Sequence, residues 1–265
     1  MRLDAVPERR VPRTAIEDTL AMVITEDRVV YRGLLGAPTT RNFGALTLYV
    51  ALEEPFTIKV GGDAPKRERI AIVPPNMAHL ITSTDRIIGV FLIEPECIDP
   101  TDLGQLPALI RKSKIRARLE SAFRTCKEST GRIECKSSVI DNVFIGRQLE
   151  ARLMDQRIAL VIGQIRASPC EQFFAASFAR LTGLSFSRFV HLFKEEIGMT
   201  FRAYCAWKRA RALLPHVGGQ CTLTHIAMLT GYPDSTHFSH SIRRIYGLRP
   251  KDIIAGSRRL SIASQ

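Results

Sequence analysis

A short segment ending in Leu-Thr-Gly occurs twice in the C-terminal half of the chain, and this repeat constrains the fold more than any other feature. Gly183 and Gly231 are the matching glycines, 48 residues apart. A glycine just past a helix end readily adopts a positive φ and turns the chain sharply, so that another helix can begin within a few residues. Ser185 and Asp234 then stand at the start of the next helix, where both residue types are good N-caps. The repeat therefore predicts two helix-turn-helix units.

The second helix of each predicted unit has one apolar and one polar face. Phe189 and Phe193 share the apolar face in the first unit, and Phe238 and Ile242 share it in the second. The opposite face, near the helix start, carries mostly hydroxyl, imidazole and guanidinium groups, which hydrogen-bond base edges or phosphates. Its residues are Ser187, Arg188, Val190 and His191 in the first unit and Ser235, Thr236, His237 and His240 in the second.

The helix predicted between the two units runs from about Thr200 to Leu214, and Pro215 ends or kinks it. At 1.5 Å per residue this helix is roughly 22 Å long, which is compatible with two recognition helices on the order of 34 Å apart, one turn of DNA. One chain would then reach two successive segments of the major groove.

The excess positive charge of the chain lies mainly in this region. Residues 154–265 carry 15 basic and 6 acidic residues, whereas residues 1–153 carry 23 and 20. Clustered positive charge indicates an anionic partner such as nucleic acid. Several basic side chains are interpreted either as phosphate contacts, which add affinity without sequence preference, or as solvated charges. The expected phosphate contacts are Arg202, Lys208, Arg209, Arg243 and Arg244.

The second unit follows a family pattern that runs from Ala227 to Pro250 and includes Gly231, Tyr232 and Asp234. Its departures from that pattern are Thr236, His240, Ile242 and Arg249. In tandem with the first unit, this segment resembles the DNA-binding domain of the AraC/XylS family of bacterial transcription regulators. The resemblance implies base contacts by the eight polar-face residues named above, and RNA polymerase as a protein partner.

The N-terminal half has a different pattern. Short segments rich in β-branched and aromatic residues, separated by turn clusters, fill the region from Arg28 to Glu94 and predict a sandwich or barrel. Beyond Asp99, apolar residues recur every three or four positions, as in helices. Residues 49–81 resemble the cupin-like jelly-roll sensor domain of many AraC/XylS regulators. The predicted fold class is therefore α+β, with a cupin-like sandwich, following helices and an all-α tandem helix-turn-helix domain.

A cupin-like barrel suggests a ligand site. Arg41, Phe43 and His79 are candidate ligand-binding residues at its mouth. His79 is the only histidine before residue 190, and one imidazole cannot build a metal site, so no metal, cofactor or catalytic role is predicted. The apolar stripe of residues 108–123 indicates either a dimer interface or a helix packed within its own domain.

The expected domains are a loosely ordered arm at residues 1–22, a sensor or dimerisation domain at 23–153 and a DNA-binding domain at 154–265. Scattered cysteines and the absence of a long apolar run favour a cytoplasmic, non-membrane protein with reduced thiols. The predicted function is sequence-specific transcription regulation, controlled by a small effector or by homodimerisation. The alternatives are a cupin-type enzyme, a protein with a methyl-accepting thiol in its front half, and a non-specific nucleic-acid binder.

Overall fold

The computed structural model describes residues 20–129, 136–219, 221–258 and 260–264. A β-rich N-terminal region precedes the helices, and the predicted α+β architecture is confirmed. The strands are β1 (Ala21–Ile24), β2 (Arg28–Leu34), β3 (Leu46–Ala51), β4 (Phe56–Val60), β5 (Lys66–Glu68), β6 (Ile70–Val73), β7 (His79–Thr82), β8 (Ile87–Ile93) and β9 (Ser261–Ser264).

The larger sheet has six strands in the order β6-β3-β8-β2-β1-β9. Every residue of β1 and β3 is buried, which explains why their sequences lack the polar–apolar alternation of a half-exposed strand. One face of this sheet packs against β4 and β7 of a three-stranded sheet, ordered β5-β4-β7, through residues such as Tyr49, Phe56 and Ile81. The two sheets form the predicted sandwich.

The other face of the larger sheet is covered by three helices, α1 (Pro100–Leu109), α2 (Ser113–Ser129) and α3 (Ser137–Phe144). Leu119 and Phe123 of α2 are fully buried in this layer, in one core cluster with Leu48 and Phe91 of the sheet. The apolar stripe of α2 therefore packs within its own chain, as the second of the two interpretations predicts.

The remaining helices are α4 (Gln156–Ala167), α5 (Ala175–Leu181), α6 (Phe186–Ile197), α7 (Phe201–Arg211), α8 (Leu223–Leu229), α9 (Ser235–Tyr246) and α10 (Pro250–Ser257). α7 is the predicted connecting helix. It ends at Arg211, and a short 3-10 helix (Leu214–His216) follows, as Pro215 predicts.

The N-terminal and C-terminal halves share a core. Strand β9 pairs in parallel with β1, and Trp207, Phe238 and Ile242 belong to the same apolar cluster as Tyr49 and Phe56. By contrast, the first unit has its own cluster, which includes Ile158, Phe189, Phe193 and Tyr204. The second unit is thus packed against the sandwich, whereas the first unit has a separate core. The boundary proposed between the sensor and DNA-binding domains, at residues 153–154, stays a prediction.

The predicted arm, residues 1–22, lies outside the described residues up to position 19. For its last residues the prediction is wrong. Leu20 is buried and β1 already begins at Ala21, because the apolar sequence Ala-Met-Val-Ile pairs with β2 and contributes side chains to both faces of the larger sheet.

Candidate DNA-binding surface

The first helix-turn-helix unit consists of α5, a sharp turn and α6. Gly183 adopts a φ of 67°, and the Ser185 side chain accepts a hydrogen bond from the Arg188 amide at 3.3 Å. Phe189 and Phe193 are fully buried. The predicted turn glycine, N-cap and buried face are confirmed.

The second unit repeats this arrangement with α8 and α9. Gly231 adopts a φ of 70°, and Oδ1 of Asp234 accepts hydrogen bonds from the amides of Thr236 and His237, each at 2.8 Å. These bonds, with the His237 side chain, lower the pKa of the Asp234 carboxyl. Asp234 is therefore a negatively charged cap at a helix end that has unpaired N–H groups.

The polar faces of α6 and α9 are accessible. Val190 is half-buried and the other expected base-contact residues are exposed: Ser187, Arg188, His191, Ser235, Thr236, His237 and His240. Both faces lie in the first two turns of their helices. Each unit thus has an exposed helix start with hydrogen-bonding side chains, the part of a recognition helix that contacts base edges.

Two acidic residues lie beside these faces. The Glu195 carboxylate lies 4.0 Å from Nη1 of Arg188 and 3.9 Å from Nε2 of His191. In α9, Nδ1 of His237 lies 2.7 Å from Oδ2 of Asp234. Since a carboxylate only accepts, Nδ1 is the donor, which leaves Nε2 as the ring atom available to another partner.

The expected phosphate contacts differ in accessibility. Arg202, Arg243 and Arg244 are exposed. Arg209 is half-buried: its Nη2 donates to the carbonyl oxygen of Glu171 at 2.5 Å and its guanidinium lies over the ring of Tyr232. Arg209 is therefore engaged within the chain, although part of it reaches solvent.

Lys208 corrects the sequence prediction. Its side chain is only 5% exposed, and Nζ lies 2.7 Å from Oε2 of Glu94 and 2.5 Å from Oε1 of Glu96. The sequence analysis grouped Lys208 with other basic residues as a phosphate contact or a solvated charge, but α7 turns this residue toward the sandwich. A buried ammonium between two carboxylates is not available to a DNA phosphate.

The Glu94 carboxylate is the centre of a buried polar cluster that the sequence analysis missed. It also accepts a hydrogen bond from Nε1 of Trp207 at 2.9 Å and pairs with Nε of Arg211 at 2.9 Å. Burial raises the pKa of Glu96, but Lys208 outweighs burial and lowers that pKa below its ordinary value. The signal in the sequence that could have indicated this cluster is the pair of glutamates, Glu94 and Glu96, just after the apolar strand β8. This cluster ties α7, which joins the two units, to the sandwich.

The candidate ligand residues separate into two groups. Arg41 and Phe43 line a cavity of about 170 Å³ between the sandwich and the C-terminal helices. His79 is not among the lining residues: it is buried behind Phe43, with Nε2 2.7 Å from the Tyr49 hydroxyl and Nδ1 2.9 Å from the Met77 carbonyl oxygen. Burial lowers the pKa of His79 to about 4, so the ring is neutral near pH 7.

The thiols do not favour the methyl-acceptor alternative. Burial, with Glu96 nearby, raises the pKa of Cys97 to about 12, so this thiol is a poor nucleophile at neutral pH. The Cys126 side chain and Cys135 lie outside the described residues. Within the parts of the chain that are described, no three His, Cys, Asp or Glu side chains form a group that could hold a metal ion.

Comparison with known families places this surface in a class of DNA-binding proteins. Residues 178–255 match the family model described as a helix-turn-helix domain. This domain is of the AraC type, and its presence indicates a DNA-binding transcription regulator. No curated protein matches the chain.

Solved structures share this fold over most of the chain. ToxT from Vibrio cholerae O395 aligns with a TM-score of 0.57 at 10% identity, over 87% of this chain and 98% of that one. Unsaturated fatty acid bound wild-type ToxT from V. cholerae strain SCE256 aligns with a TM-score of 0.51 at 10% identity, over 87% and 95% of the two chains. At this identity the similarity shows a common fold. None of the described helices is long and apolar enough to cross a membrane.

Proposed function

We propose that this protein is a sequence-specific transcription regulator that inserts the starts of α6 and α9 into two successive segments of the major groove. The observation that carries the proposal is the repeated geometry of the two units: a left-handed glycine, a capped helix start and an exposed polar face. A single helix-turn-helix would explain one base-reading face, but here the chain presents two.

Assigned contacts follow from this geometry. Ser187, Arg188, Val190 and His191 would contact bases from α6, and Ser235, Thr236, His237 and His240 from α9. Arg202, Arg243 and Arg244 would contact phosphates, and Arg209 would do so with the part of its side chain that reaches solvent. The non-specific binder is the competing function, because the positive charge alone supports DNA affinity without base preference.

Selection of bound duplexes from a random pool, followed by footprinting, tests the proposal. We expect a defined operator, and we expect Ser187→Ala and His237→Ala each to weaken protection at one half of it, by about 1–3 kcal/mol per lost base contact. Ser121→Ala, at an exposed serine of α2 far from either unit in sequence, is the matched control. A random pool that yields no preferred sequence, or variants that leave the footprint unchanged, would contradict the assignment.

For control of DNA binding, we propose that a small apolar carboxylate occupies the cavity that Arg41 and Phe43 line. The lining is shared between the two halves: Met22, Tyr31 and Leu92 come from the sandwich, and Tyr246 and Ile253 from α9 and α10. It is mostly apolar. A ligand held by both halves alters how they pack, and so acts through different affinities for two arrangements.

Arg41 supports the choice of a carboxylate. Its side chain is 5% exposed; Nη2 donates to the Leu35 carbonyl oxygen, whereas Nε has no hydrogen-bond partner in the described part of the chain. A buried guanidinium with an unpaired N–H favours an anionic group. ToxT, which shares the fold, has been crystallised with an unsaturated fatty acid and with a naphthalenyl butenoic acid.

Titration with a short unsaturated fatty acid such as octenoic acid tests this proposal, with Trp207 fluorescence as the readout because its ring centroid lies 5.9 Å from that of Phe43. We expect saturable binding that Arg41→Gln weakens about tenfold or more and that Lys59→Gln, at an exposed cation outside the cavity, leaves unchanged. Equal affinities for both variants would contradict the assigned ligand class. Homodimerisation and contact with RNA polymerase stay predictions of the family resemblance.

A further inference from the structure

Strand β6 forms an edge of the six-stranded sheet, and its sequence Ile-Ala-Ile-Val carries no charge. Edge strands expose unpaired backbone groups that bind other strands, so natural proteins protect them with charged residues, proline or a cover. The edge strand β5 of the smaller sheet follows this rule, because it reads Lys-Arg-Glu and is fully exposed. Of these two edge strands, β6 is the one without charged residues to protect it.

The register shows which groups of β6 are free to bind another strand. The Ala51 amide donates to the Arg69 carbonyl oxygen at 2.7 Å, and Tyr49 pairs with Ala71 two residues further on. In an antiparallel ladder alternate residues bond to the same neighbour, so Ala71 and Val73 face β3. The N–H and C=O groups of Ile70 and Ile72 therefore point away from the sheet. They make no backbone hydrogen bond on that side to any residue that the structure describes.

A cleft runs beside this edge. It encloses about 540 Å³ between the β4–β5 hairpin, β6 and the corner that joins α1 to α2. Ile58, Val60 and Met77 line one part of it, and Ile110 lines another. The cleft is much larger than a single ion needs, and it lies along an open strand edge with apolar side chains beside it.

The charges around the cleft are mainly positive. Its ionisable lining residues are Lys66, Arg69, Arg111 and Arg116 on the basic side and Asp63 and Glu68 on the acidic side. Arg69 is held by the Glu120 carboxylate and the Glu53 carbonyl oxygen. Arg111, Arg116 and Lys66 form no ion pair with any other described residue. Asp63 and Glu68, on the hairpin side, form no ion pair with another described residue either. The excess of unpaired positive charge therefore lies at the α1–α2 corner, in Arg111 and Arg116.

We infer that this cleft binds an extended acidic segment of a partner protein, which adds a strand to β6. Main-chain hydrogen bonds to Ile70 and Ile72 would supply affinity, as in other cases of strand addition. Alternate side chains of the added strand would face the apolar lining and the guanidinium groups of Arg111 and Arg116. This site is separate from both recognition helices, and the inference does not depend on the proposed function.

Two other occupants fit the charges and the lining less well. A second copy of this chain, pairing β6 with β6, would place the uncharged sequence Ile-Ala-Ile-Val in the cleft and would leave Arg111 and Arg116 without acidic partners from the added strand. Duplex DNA would satisfy the cations, but it would cover the apolar lining with a charged backbone and would leave the outward amides of β6 without strand partners.

Fluorescence anisotropy on the full-length protein tests the inference with a labelled decapeptide that alternates glutamate and valine. We expect a Kd below about 100 µM and at least about tenfold weaker binding of the lysine–valine peptide. Arg111→Glu with Arg116→Glu is expected to abolish binding. Ile72→Pro, which removes one outward N–H, is expected to weaken it about tenfold. Circular dichroism establishes that each variant is folded.

The matched control is Lys194→Glu with Lys251→Glu, which changes the net charge equally at exposed positions of the C-terminal helices outside the cleft lining and is expected to keep affinity within about twofold. Failure of the acidic peptide to bind, or equal loss in the control, would overturn the inference. So would displacement of the peptide by a random-sequence duplex, which would identify a DNA contact, or a dimer in solution that Ile72→Pro dissociates.

Discussion

At the scale of single residues, the cations of the C-terminal half divide by their surroundings rather than by their positions in the sequence. Arg243 and Arg244 are exposed on α9, whereas Lys208 lies buried between Glu94 and Glu96. An exposed cation adds DNA affinity that falls with salt. A buried cation paired with two carboxylates acts on folding instead, because removing it leaves uncompensated negative charge.

Lys208→Ala is therefore expected to lower the free energy of unfolding by about 3–5 kcal/mol, measured by urea denaturation. Lys194→Ala, at an exposed lysine of α6, is expected to change it by less than about 0.5 kcal/mol. If Lys208→Ala left the stability unaltered but weakened DNA binding, the result would support the phosphate contact expected from the sequence and would contradict the buried cluster.

His79 gives a pH dependence of stability. Because burial depresses its pKa from 6.5 to about 4, the unfolded chain binds a proton over this interval that the folded chain does not. The resulting contribution of His79 to the free energy of unfolding is fully present above pH 6.5 and is lost as the pH falls toward 4. It amounts to about 3 kcal/mol. Between pH 5 and 6.5, the urea denaturation midpoint should change less steeply with pH for His79→Gln than for the unsubstituted protein. His225→Gln, at an exposed histidine, is the control and should keep the slope of the unsubstituted protein.

At the scale of elements, the two helix-turn-helix turns have the same backbone but different neighbours. Gly183 and Gly231 have φ values of 67° and 70°. A Cβ added at Gly183 would meet open space, whereas at Gly231 it would lie 1.9 Å from the Cys170 carbonyl oxygen. The second turn packs against the segment between α4 and α5, and the first does not.

Alanine substitution separates backbone conformation from packing at these turns. Gly183→Ala is expected to cost about 1–2 kcal/mol, the penalty for a left-handed alanine, whereas Gly231→Ala is expected to cost at least about 2 kcal/mol more because backbone must move. Thermal or urea denaturation of both variants measures the difference. Equal losses would show that the contact with Cys170 does not constrain the turn.

The elements also show what the sequence could and could not predict. Gly183, Gly231, Ser185 and Asp234 were identifiable because turns and caps depend on residues within a few positions of one another. Strands β1, β5 and β9 were not identified. The three or four residues of mixed polarity in β5 and β9 give no clear period, and the four apolar residues of β1 are too few to distinguish a strand from a helix. The pairing of Lys208 with Glu94 joins residues that are distant in sequence, and local patterns carry no information about such contacts.

At the scale of the whole molecule, the second unit and the sandwich share one apolar core while the first unit has its own. Strand β9 strengthens the first association by pairing with β1. We expect native-state hydrogen exchange to protect α9 and β1–β3 to a similar degree, and to show a separate opening of α5 and α6. Truncation after Ser257, which removes β9, should accelerate exchange in β1 and α9 more than in α6. Uniform acceleration in all of these elements would contradict the division into two cores.

The central claim is that α6 and α9 are held at a fixed spacing and read two neighbouring segments of one DNA duplex. Binding to the selected operator and to the same operator with five base pairs inserted between its halves tests this most directly. The insertion turns one half by about half a helical turn, so we expect affinity to fall to the non-specific level, at least about 100-fold lower. Unchanged affinity for the lengthened operator would show that the two units are not rigidly spaced and would contradict the account.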